Sequence, residues 1–167
     1  MIPAHPHHGD GMNDTQATLD YFVERHCAPQ WRVFVGELVA EFHRQVDPDL
    51  AAGFFRQLGR RMARTLPLPK CETLEGLEAA INATLSEIDW GWVRLTMGER
   101  FLEVTHGAYP VVPITDVPAG DWLAPVLEGL YGEWLAGLSG DASLRAMTAS
   151  LPGAPGEPIG LHYGRHD

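Results

Sequence analysis

Apolar positions set the first pattern. Trp31, Phe34, Val35, Leu38, Val39, Phe42 and Val46 recur at steps of three and four, the period of a helix with one buried face, so a core helix is predicted here. Asp47-Pro48 offers an N-cap followed by a proline at the first helical position, where its missing amide costs least. A second helix is expected to restart there and to bury Leu50, Phe54, Leu58, Met62 and Leu66. Pro67 and Pro69 end it, and Thr73 opens a third with Leu74, Leu77, Ile81, Leu85 and Ile88 as its stripe. A shorter helix is predicted upstream, after Asp14, with Leu19, Phe22, Val23 and His26 on one face and Pro29 closing it.

After Ile88 the period changes to two. Val93, Leu95 and Met97 alternate with Trp92, Arg94 and Thr96, which predicts a half-buried strand. Gly98-Glu99-Arg100 is a turn into a second strand over 101–105, completing a hairpin. Trp90 and Trp92 straddle Gly91 and are expected on one face, as sheet-to-helix core or as a stacking surface for sugar rings. The proline-rich stretch 110–118 leads to a helix from Asp121, with Leu123, Leu127, Leu130, Trp134 and Leu138 as its stripe and Gly140 beyond its end. Gly129, Gly132 and Gly137 each cost about 1 kcal/mol relative to alanine in a helix interior. A bare backbone is therefore expected to be needed there, for packing on the sheet or across a subunit boundary. Strands over 144–151 and 159–165 complete the pattern.

Helices, hairpin, helix, hairpin, without regular βαβ alternation, is an α+β order. The predicted fold is N-terminal helices followed by an antiparallel sheet of about four strands, with one further helix between two hairpins. Residues 1–13, with His5, His7 and His8 among prolines and glycines and no apolar period, read as a flexible arm. Residues 14–167 read as one domain.

Charge narrows the partners. The 167 residues carry 12 basic and 22 acidic side chains, a formal charge of −10, which disfavours nucleic acid and anionic lipid. Lys70 is the only lysine and follows Pro69, so no glycine-rich phosphate loop ending in Lys-Ser or Lys-Thr is present. Cys27 and Cys71 form neither a disulfide framework nor a metal site and read as two reduced thiols. No leader-like segment and no 18-residue apolar run occurs, so a cytosolic, soluble chain is expected. Asn82-Ala83-Thr84 reads as a glycosylation sequon but falls within a helical pattern. Arg56, Arg60 and Arg64 sit about 200° around the second helix from its apolar stripe. They form a basic ridge, either solvated or docked against an acidic surface such as another subunit.

Catalytic motifs are missing: there is no His-Glu-x-x-His, Gly-x-Ser-x-Gly, Cys-x-x-Cys or dinucleotide fingerprint. Glu99 and Glu103 are the kind of carboxylate pair that glycosidase chemistry uses, but 22 acids make chance proximity ordinary. His106, between a strand and Gly107, reads as a turn or capping residue, with metal or haem ligation as the alternative. No catalytic residue, metal or cofactor is assigned.

DWGWVRL at 89–95, the strand ending in His106, WLAPVLEGLYGEW at 122–134 and, more loosely, FFRQLGRRMARTLPLPKCETL at 54–74 resemble the bacterial cellulose synthase operon protein D family. The resemblance implies a non-catalytic accessory subunit, cytoplasmic beside the inner membrane, whose dimers assemble into an octameric cylinder. Its passages would guide nascent β-1,4-glucan chains toward ordered extrusion and crystalline cellulose. Implied partners are the synthase, the glucan and a proline-rich scaffold protein. Arg25, His26 and Cys27 are then the candidates for the glucan passage. Arg56, Arg60, Arg64, Gly129 and Gly132 are those for partner or subunit contact. The competing reading is a scaffold that arranges synthases without functional glucan contact.

Overall fold

The computed structural model describes residues 27–112, 114, 120–141, 143–153 and 156–166; the histidine-bearing arm and the helix expected after Asp14 lie outside them. Helices α1 (Pro29–Gln45), α2 (Pro48–Thr65) and α3 (Leu74–Glu87) precede strands β1 (Trp92–Met97) and β2 (Leu102–Gly107). Helix α4 (Leu123–Ser139) and strands β3 (Arg145–Ser150) and β4 (Ile159–Gly164) follow. The strands form one antiparallel sheet in the order β1-β2-β4-β3. The α+β class and the antiparallel sheet agree with the sequence pattern.

Local chemistry sets the helix ends. Asp47 accepts from the backbone N–H groups of Asp49 (3.0 Å) and Leu50 (3.4 Å), and Thr73 Oγ1 accepts from Gly76 N–H (3.1 Å). Each satisfies donors that the first turn leaves open. Gly140 closes α4 with φ +67°, a left-handed cap that glycine adopts without a Cβ penalty. Helix α4 is central: Leu123, Val126, Leu127, Leu130, Tyr131, Trp134 and Leu135 are all buried. On one side it meets α2, on the other β3 and β4.

The helical stripes are rotated from expectation. On α2 the buried residues are Ala51, Phe55, Gly59 and Ala63, whereas Leu50 is 68%, Phe54 54% and Leu58 40% exposed. The cause is a backbone-level approach. A Cβ on Gly59 would stand 1.9 Å from the Val126 carbonyl oxygen, and one on Gly129 1.9 Å from that of Arg56. Small residues every four positions admit α4, and the larger side chains one residue away, about 100° around the helix, are turned outward. Trp134 Nε1–H adds hydrogen bonds to the Leu66 (2.8 Å) and Ala63 (3.3 Å) carbonyls, filling acceptors at the α2 C-terminus. On α1 only Gly36 and Val39 are buried, and Trp31, Phe34 and Leu38 are more than half exposed. Helix α3 follows its predicted stripe through Leu77, Ile81 and Leu85.

Two sheet details also differ. Gly91 has φ +84° and Asp89 φ +53°, so Trp90 does not share the alternation of β1. Trp90 packs against the core, while Trp92 is 39% exposed. Met97 and Leu138 lie exposed at the ends of their elements. Side chains from α3 occupy the β1 edge: the Asn82 amide bonds Val93 N–H (2.8 Å) and its carbonyl (2.9 Å). Glu78 accepts from Leu95 N–H (2.7 Å). These bonds occupy edge groups that would otherwise be open to another strand. The sequon asparagine is therefore part of the fold.

Candidate functional site: a groove between two helices and an edge strand

Glu128, one of two charges on the otherwise apolar α4, ties three elements together. Its Oε2 accepts from Arg56 Nε (2.9 Å) and Nη2 (2.8 Å); its Oε1 accepts from Thr148 N–H and Oγ1–H, both 2.9 Å. The carboxylate thus makes four hydrogen bonds while its side chain is only 11% exposed, the arrangement that offsets burial of a charge. One turn further along, Glu133 Oε1 pairs with Arg64 Nε at 2.7 Å. That contact raises the Arg64 guanidinium above its ordinary range, so it stays charged throughout.

These clasps border a groove of about 560 Å³. Arg56 and Arg60 form the α2 wall, Glu128, Gly132, Glu133 and Ala136 the α4 floor, and Leu144, Arg145, Ala146 and Met147 the opposite rim. Gly132 faces the sheet at ordinary distance, its absent Cβ 3.9 Å from Ala146 N.

The expected free basic ridge is therefore corrected. Arg56 and Arg64 are neutralised within the chain, because α4 presents a carboxylate to each; Arg60 has no hydrogen-bond or ion-pair partner among the described residues. Arg56, Arg60 and Gly132 do converge on one groove, with Arg64 at its margin. Gly129 instead lies inside the α2–α4 contact of its own chain, against neither the sheet nor a molecular surface. A Cβ on Gly137 would meet nothing within 4 Å, so packing does not explain that glycine. Arg25 and His26 lie outside the described residues. Cys27 is half-buried, its carbonyl accepting from Arg32 Nη2 at 3.1 Å. Sequence reasoning missed Glu128 and Arg145. A lone acid amid the apolar run of α4 was a readable signal for the first, and none existed for the second.

A buried polar bridge lies behind this surface. His106 Nε2 donates to the Trp90 carbonyl (2.8 Å), so Nδ1 accepts from Tyr131 Oη–H (2.6 Å). Burial lowers the His106 pKa to about 4 against the opposing pull of the Trp90 carbonyl, and pushes the Tyr131 phenol well above its ordinary value. With both nitrogens engaged, His106 is a core strut joining the β1 approach to α4. It is neither a turn cap nor an available ligand. No cluster of three His, Cys, Asp or Glu side chains among the described residues could hold a metal.

The sheet face away from the helices carries Trp92, Arg94 and Thr96 of β1 beside Glu103 and Thr105 of β2. The Trp92 ring occupies the space that a side chain on Gly107 would fill, and the Arg94 guanidinium carbon lies 5.7 Å from the ring centre.

A family model described as the D subunit of cellulose synthase matches residues 17–164. The chain belongs to this cellulose synthase family. It is 37% identical to cellulose synthase operon protein D of Komagataeibacter xylinus over 114 residues, covering 67% of this chain and 73% of that protein. The protein of the same name from Komagataeibacter sucrofermentans matches to the same extent. Family membership makes the protein an accessory component of cellulose synthase. No helix among the described residues is long and apolar enough to cross a membrane.

Proposed function

We propose that this protein assembles from dimers into an octameric cylinder, cytoplasmic beside the inner membrane, that guides nascent β-1,4-glucan chains and promotes their ordered extrusion and crystallisation. It acts without catalysis of its own; the synthase polymerises the sugar. The observation that carries assembly is the exposed apolar face of α1 and α2: Trp31, Phe34, Leu38, Leu50, Phe54 and Leu58. A monomer seldom leaves so many large apolar side chains in water, and a self-complementary patch generates dimers that close into rings or stacks.

Eight chains at −10 each would carry about −80 before counterions, a field that opposes assembly and to which a neutral glucan is indifferent. Trp92 supports glucan contact, since an open indole among hydroxyls, a guanidinium and a carboxylate suits a pyranose ring. A conduit must bind weakly at several places, as channels do. Cys27, with Arg25 and His26, stays a candidate for the passage.

Light scattering of the purified full-length protein tests the assembly. The expected mass is far above 18.4 kDa, and Phe54→Glu lowers it without unfolding the chain; a monomer at micromolar concentration overturns the architecture. Short cello-oligosaccharides should bind with a Kd on the order of 1 mM and more weakly to Trp92→Ala. Intact cellulose crystallinity in cells lacking the protein would overturn the guiding role.

A second reading, a scaffold that arranges synthases through protein contacts, is favoured by the groove, where Arg60 stands without an intramolecular partner among the described residues. A proline-rich protein is the partner carried over from the resemblance.

A further inference from the structure

We propose that the groove between α2, α4 and β3 is the docking site for an extended acidic segment of a partner protein, its carboxylates gripped by Arg60 and Arg145. The inference rests on the scaffold reading and names the chemistry of its partner.

The groove's charges separate into two classes. Glu128 is saturated by Arg56 and Thr148, and Glu133 is engaged by Arg64, so both carboxylates are already committed. Arg60 on one wall and Arg145 on the other have no hydrogen-bond or ion-pair partner among the described residues. Two uncommitted guanidiniums facing one cavity, on a chain of charge −10, are complementary to carboxylates. Their planar forks suit bidentate recognition of that group.

Shape agrees with charge. The small floor residues Gly132 and Ala136 let an extended backbone approach α4, and 560 Å³ lies within the range that accommodates a small ligand or a short segment. The walls are pre-set, because the Glu128 clasp fastens α2 and β3 to α4 before anything binds. Such preorganisation lowers the ordering cost of association.

The occupant differs from the second copy assigned to the apolar face. Arg60 lies about 200° around α2 from Leu58, so the groove opens on the other flank of that helix.

The test uses the full-length protein and a fluorescein-labelled peptide alternating glutamate with alanine, compared with its glutamine counterpart by fluorescence anisotropy. The glutamate peptide is expected to bind, to weaken as salt rises, and to lose at least about tenfold in affinity in the double variant Arg60→Gln, Arg145→Gln. Neither side chain supports the fold, so circular dichroism and melting should stay at wild-type values. Equal binding of the glutamine peptide, undiminished binding by the double variant, or no binding at millimolar peptide overturns the proposal. A fall in assembly mass in the double variant also overturns it, reassigning the groove to contact between copies. Light scattering of the unmodified protein separately decides the octamer, so the two failures are distinguishable.

Discussion

Lowering the pH should destabilise the protein through one buried side chain. His106 is fully buried and neutral, donating to the Trp90 carbonyl and accepting from Tyr131; burial holds its pKa at about 4, from an ordinary 6.5. The unfolded chain therefore takes up a proton at higher pH than the folded one. The stability this group contributes is complete above pH 6.5 and is lost as pH falls through 4. Proton linkage puts the loss at about 2 kcal/mol between pH 7 and 5, and at about 3 kcal/mol by pH 4.

Urea titrations at fixed protomer concentration, read by tryptophan fluorescence, would measure it, since any assembly makes apparent stability concentration-dependent. His106→Asn separates this histidine from the carboxylates that also titrate toward pH 4. It should be less stable than wild type at pH 7, because a buried hydroxyl or carbonyl loses its partner, yet show a flatter decline between pH 7 and 5. Equal slopes in wild type and variant would refute the assignment.

Gly129→Ala should destabilise by about 3 kcal/mol, because its Cβ would stand 1.9 Å from the Arg56 carbonyl oxygen and both neighbours are backbone; chemical denaturation checks it, and a neutral result would mean the helices are further apart. Glu128→Ala leaves Arg56 and the Thr148 N–H without their acceptor and should cost about 3 kcal/mol, with β3 amides exchanging faster by hydrogen exchange; unchanged β3 protection would contradict the three-way clasp. Asn82→Ala with Glu78→Ala frees the β1 edge and should raise thioflavin-positive aggregation on agitation, an effect absent if other groups guard that edge.

How much of this was legible in the chain depends on the range of the interactions. Cap and turn chemistry acts over a few residues, so Asp47-Pro48, Thr73, Gly98-Glu99-Arg100 and Gly140 marked elements that the structure has within a residue or two. Period two around Val93 and Leu95 likewise located β1, because alternation in a strand is local geometry. The face each helix buries is different in kind. Leu50, Phe54 and Leu58 are more apolar than Ala51, Gly59 and Ala63, and hydrophobicity alone selects the wrong side of α2. What reverses the choice is steric: Gly59 and Gly129, far apart in the chain, let two backbones touch, a gain visible only when both helices are in place.

The site divides along the same line. Arg56, Arg60 and Gly132 were recognisable as unusual residues in their own helices. The groove exists because α4 brings Glu128 to Arg56 and the sheet order brings Arg145 to face Arg60. The same packing converted His106 from an anonymous histidine after a strand into a neutral core strut. By itself the sequence determined the elements, their order and their antiparallel class, since propensity, capping and periodicity are local. Tertiary structure decided which faces are buried, which charges are paired and which remain free, because those depend on close approach between segments far apart in the chain.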